Sequence, residues 1–120
     1  MTLSKEIKKQ ILNGFIDIFT RISNKEYQKR VWIKGEGPEA DAFDDTVNEF
    51  FIECDSIIDN YHDFEITDYQ HMILKKFRDK FRLFTDENDW PPEFIESAEW
   101  DKISLMAEEI LKAFNYKKTR

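Results

Sequence analysis

The chain has 120 residues, 41% of them hydrophobic and 36% charged, with a net charge of −7 and a single cysteine. That length suits one domain with one core. The composition excludes a disulfide framework and a cysteine-based zinc site. No apolar run approaches the ~18–20 residues of a membrane span, and the N-terminus lacks the apolar stretch of a signal peptide, so a cytoplasmic protein is expected.

The charge is segregated. Residues 1–40 carry +3, 41–66 carry −9, 67–85 carry +3, 86–101 carry −7 and 102–120 carry +3. Neither acidic block contains a Lys or Arg. Such faces repel nucleic acid and anionic lipid and attract a basic partner. They can equally keep the chain soluble and pair with its own basic helices.

The first helix is expected at residues 4–23. Ile7, Ile11, Phe15, Ile18 and Ile22 recur at spacings of four, four, three and four, with Leu12 and Phe19 widening the stripe. Thr2 or Ser4 can cap its start, and Gly14 permits a close helix contact. Residues 24–40 break the pattern and read as an extended connection. Val31, Trp32 and Ile33 could form a short strand, but no second strand is evident to pair with it. Gly35 and Gly37 supply turn conformations, and Pro38 starts the next helix or the turn before it.

The second helix is expected at 41–60. Phe43, Val47, Phe50, Cys54, Ile57 and Tyr61 lie along one face, and Asp41, Asp44 and Asp45 suit the positive end of its dipole. A short turn leads to Thr67 and Gln70, which form a capping box. The third helix follows at 68–84, with Met72, Ile73, Phe77, Phe81 and Phe84 on its apolar face and five bases opposite. Residues 85–92 read as a loop in which Pro91 holds Trp90 extended. A short helical turn near Phe94 and Ile95 precedes the last helix at 98–114, capped by Ser97 and striped by Trp100, Ile103, Ala107, Ile110 and Phe114. The expected fold is therefore all-α: a single-domain bundle of four long helices.

No catalytic set is visible. His62 and His71 read as surface residues; Asp68 and His71 have one-turn ligand spacing but no second such pair. Cys54 falls on an apolar stripe with no adjacent base to activate it. The Gly35–Glu39 loop lacks the phosphate-cradle pattern, and the acidic stretch around Trp90 lacks calcium-loop spacing. No metal, no cofactor and no enzymatic activity are expected.

Arg30, Trp32, Gly37, Pro38 and Glu39, then Phe43, Asp44 and Asp45 leading into an amphipathic helix, resemble the small bacterial immunity proteins of contact-dependent growth inhibition and related polymorphic toxin systems. Thr67, Gln70, Leu74, Phe77, Phe81, Phe84, Trp100 and Ile103 fit the same resemblance, which spans residues 30–114. It implies an inhibitor that binds its cognate toxin domain, often a nuclease, in the cytoplasm. It supplies no binding residues.

Charge suggests them instead. Nuclease clefts are basic, and acids steer an inhibitor into such a cleft. The expected contacts are Asp41, Asp44, Asp45 and Glu49 from one acidic block, and Asp86, Glu87 and Asp89 from the other. Trp32 or Trp90 would be the aromatic anchor, and Glu39 would stand beside the first group. Trp32 could instead fold back and plug the core. A non-catalytic adaptor or regulatory module is the alternative to an inhibitor.

Overall fold

The computed structural model describes residues 4–37 and 41–115. Its elements are helical throughout, and the described residues contain no strand. Helix α1 (Lys5–Ser23) is followed by one short turn, α2 (Lys25–Tyr27), which runs on as a π-helical segment, Gln28–Ile33. Helix α3 (Phe43–Asp59) leads through a 3₁₀ turn (Tyr61–Phe64) to α4 (Asp68–Glu87). The short α5 (Pro91–Phe94) then precedes α6 (Ala98–Ala113). The long helices α1, α3, α4 and α6 have 19, 17, 20 and 16 residues.

The caps are those the sequence demands. Ser4, Thr67 and Ser97 each accept from a backbone N–H three residues on, and Gln70 completes the box by accepting from the Thr67 N–H at 2.9 Å. These contacts satisfy donors that a helix start otherwise leaves open. Gln70 also donates to the Ala113 carbonyl at 2.9 Å, tying the start of α4 to the end of α6.

Helix α1 packs along α3 and α6, and α4 packs along the same two helices. Phe15, Phe19, Phe50, Phe77 and Phe81 meet at the centre, with Phe19 and Phe77 at 4.8 Å and Phe50 and Phe81 at 5.3 Å. All five are buried. A second aromatic group, Trp32, Phe43, Phe84, Phe94 and Trp100, closes one end of the core. Ile7 and Met72, expected on the apolar stripes, remain exposed.

The largest departure from expectation is residues 25–33, which are helical rather than extended. Asn24 accepts from the Tyr27 N–H at 3.0 Å and so restarts a helix at once. The turn widens where the Lys34 N–H reaches the Lys29 carbonyl, five residues back, at 3.1 Å. Such widened turns shift side chains around the axis. Here Gln28 and Val31 face the core while Lys29, Ile33 and Lys34 stay outside. Gln28 is fully buried yet fully bonded. It donates to the carbonyls of Arg21 and Ile22 at 2.8 Å each and accepts from Trp100 Nε1 at 2.9 Å. That pairing removes the usual penalty for a buried amide, and local periodicity gives no sign of it.

Gly35 and Gly37 do supply turns, at φ 65° and 98°. Pro38 lies outside the described residues. Helix α3 begins at Phe43, with Ala42 as its cap, so Asp41 precedes the helix instead of opening it. Helix α4 continues to Glu87, past the expected end at residue 84. Asp86 and Glu87 therefore stand in a last helical turn and not on a loop. Trp90 is extended at φ −118° and ψ 101°, as Pro91 requires.

Candidate partner-binding face

The ten residues suggested by charge separate into two groups. Trp32, Asp41 and Glu49 are held by internal contacts. Asp41 Oδ2 accepts from Trp32 Nε1 at 2.9 Å and from the Tyr27 hydroxyl at 2.7 Å. The Thr46 hydroxyl lies 3.2 Å from the same oxygen, and Arg21 Nη1 lies 3.6 Å from Asp41 Oδ1. The Asp41 side chain is only 10% exposed. Arg21 also pairs with Glu49 at 2.6 Å. Burial opposes the Arg21 charge, but the hydrogen bond and charge of Glu49, with Asp41, outweigh it and hold the guanidinium pKa above its ordinary value. Trp32 rests against Phe43 at 5.4 Å and Trp100 at 6.2 Å, so it folds back onto the core. Glu39 lies outside the described residues.

Asp44, Asp45, Asp86, Glu87, Asp89 and Trp90 form the second group. Phe43 meets Phe94 at 4.9 Å and Phe84 meets Phe94 at 5.0 Å. These contacts bring the start of α3, the end of α4 and the Trp90 link to one end of the molecule. All six residues are exposed, and Trp90 is 59% exposed. Among the described residues none of the five acids makes an ion pair or a side-chain hydrogen bond. Glu93 on α5, the short helix that follows Trp90, is exposed and likewise unpaired among the described residues. It was legible as a member of the second base-free block.

Other acids in the two blocks do pair with the protein's own bases. Asp55 meets Arg78 at 3.2 Å and Arg82 at 3.8 Å. Glu96 meets Lys29 at 3.0 Å, and Asp101 meets Lys25 at 3.1 Å. Hydrogen bonding from Lys29 and the charges of Lys25 and Lys29 lower the Glu96 pKa. Position on the helices divides the unpaired acids further. Asp44 and Asp45 sit in the first turn of α3, where the dipole favours them. Asp86 and Glu87 sit in the last turn of α4, which has no base, so the dipole opposes them. Nothing in the fold explains acids at that position.

Other chemistry is sparse. Cys54 is fully buried, and burial, followed by the neighbouring Asp55 charge, pushes its thiol up to about 11. His71 stacks on Tyr61 at 3.8 Å. Among the described residues no group of three or more His, Cys, Asp or Glu is placed to hold a metal, and no helix is long and apolar enough to cross a membrane. An open groove at the opposite end of the molecule is lined by Leu12, Ile16, Phe64 and Phe114 and by the polar residues Lys5, Glu6, Lys8, Lys9, Asn13, Asp63 and Glu65. No protein-family model, curated protein or solved structure matches the chain.

Proposed function

We propose that the chain is a non-catalytic immunity protein that binds and neutralises a cognate toxin domain of the nuclease kind in the cytoplasm. The observation that carries this reading is that Asp44, Asp45, Asp86, Glu87 and Asp89 are exposed and unpaired among the described residues, on elements that the Phe43–Phe94 and Phe84–Phe94 contacts bring together beside exposed Trp90. A nuclease cleft built to hold phosphates presents bases to such a face. The acids steer the encounter and set its salt dependence. Trp90 supplies a large apolar contact with little conformational freedom left to lose, because Pro91 already restrains its backbone.

The test is calorimetric binding to the toxin domain encoded beside this gene, over a range of salt. Asp44→Lys with Asp45→Lys, and separately Asp86→Lys with Asp89→Lys, should weaken binding and flatten its salt dependence. Trp90→Ala should cost about 2 kcal/mol or more. Glu49 is kept intact in these variants because it pairs with Arg21. Unchanged affinity and salt response in both double variants would refute the acidic face. A tight partner whose activity survives binding would favour an adaptor.

A further inference from the structure

A second surface, on the outer side of the α4–α6 pair, shares Glu87 with the acidic face but carries its own signature. Leu83 stands 72% exposed there, over a shallow groove floored by Phe84 and Ile103. Four charged side chains line the groove: Lys80 and Glu87 on α4, Lys102 and Glu99 on α6. Among the described residues none of the four forms an ion pair. The patch is thus neutral, two bases against two acids, on a chain whose net charge is −7.

The order of the charges matters more than their balance. Lys80 and Glu87 lie three residues before and four residues after Leu83 on the same helix. Helices α4 and α6 run antiparallel, as Gln70 at the start of α4 meets Ala113 at the end of α6 and Phe84 meets Trp100 at 5.4 Å. The levels of Glu99 and Lys102 therefore bracket Leu83 on the neighbouring helix.

We propose that this patch docks a second copy of the same chain through a two-fold axis crossing α4 and α6 at Leu83. That axis sets Leu83 against Leu83 of the second copy. It sets Lys80 opposite Glu87 of the second copy, and Lys102 opposite Glu99 of the second copy. An isologous contact needs a self-complementary patch, and this one meets the requirement in charge and in apolar content. The unpaired acids at the α3 start and Trp90 link, by contrast, would repel their own image. The inference does not depend on the proposed toxin partner.

The experiment is sedimentation equilibrium of the full chain, from micromolar to millimolar concentration at fixed salt. A reversible dimer is expected. Leu83→Asp, at an exposed position, should weaken it at least about tenfold with an unchanged circular dichroism spectrum. Glu99→Lys alone and Lys102→Glu alone should each weaken it, because each faces like charges across the axis. The two together should restore it, since the swapped charges again meet their opposites. A chain that stays monomeric to millimolar concentration overturns the proposal. So does a dimer indifferent to Leu83→Asp, or a double swap no better than the single changes.

Discussion

At the scale of single residues, two buried groups govern the expected behaviour. Gln28 is the polar pin between α1, the π-helical segment and α6: it reaches the Arg21 and Ile22 carbonyls and holds Trp100 Nε1. Gln28→Leu keeps the bulk but strands the Trp100 N–H in the core. The cost should be about 1–3 kcal/mol for that donor alone, read as a lower urea midpoint. Cys54 responds to pH. Its thiol pKa is raised from the ordinary 9.0 to about 11, with burial as the leading cause. Below about pH 9 both folded and unfolded chains hold the proton, and the thiol adds no slope. Between 9 and 11 the unfolded chain loses it first, so stability falls as pH rises, with a slope approaching ~1.4 kcal/mol per unit. Cys54→Ser should remove that part of the alkaline loss, measured by denaturation across the window. The same burial predicts that native Cys54 resists thiol reagents until the chain unfolds.

At the scale of elements, α4 carries a conflict. Its start is well made, with the Thr67–Gln70 capping box. Its end holds Asp86 and Glu87 with no base in the last turn, against the dipole. Replacing both acids by Lys should raise stability by about 0.3–1 kcal/mol for each change, by easing that repulsion. The same change should weaken partner binding if the acidic face carries it. A stability gain coupled to a binding loss is the expected outcome, read by thermal melts beside calorimetry. Melts that show no gain would mean that solvent screening at this exposed end already cancels the dipole's opposition.

At the scale of the whole molecule, charge is arranged by face. The acids that meet Arg21, Lys25, Lys29, Arg78 and Arg82 are locally balanced. Those at the Phe43–Phe94 end are not. The local field there should be strongly negative, and Trp90 reports it. Trp32 and Trp100 are packed into the core, so Trp90 is the accessible indole. Relative to a free tryptophan derivative in the same buffer, its fluorescence should be quenched more by caesium and less by iodide, because the acids concentrate cations and exclude anions. Trp90→Phe should remove most of the quenchable emission. A caesium-to-iodide quenching ratio no higher than that of the free derivative would show that the acids create no local field at Trp90.

The helices and their caps were determined by the sequence itself, because they rest on signals within a few residues. The 3.6-residue stripes place α1, α3, α4 and α6, the Ser4, Thr67 and Ser97 caps fix three starts, and Pro91 alone dictates the extended Trp90. What required the tertiary structure depends on partners far along the chain. Gln28 meets Trp100 across 72 residues, and that contact is part of why residues 25–33 coil inward as helix. Trp32 turns inward because Asp41 takes its indole N–H while Phe43 and Trp100 pack on its ring. The acidic blocks, uniform by sequence, divide into paired and unpaired members only when folding sets Arg21 beside Glu49 and Arg78 beside Asp55. Charge along a chain is a local property; whether it is neutralised depends on which surfaces the core brings together.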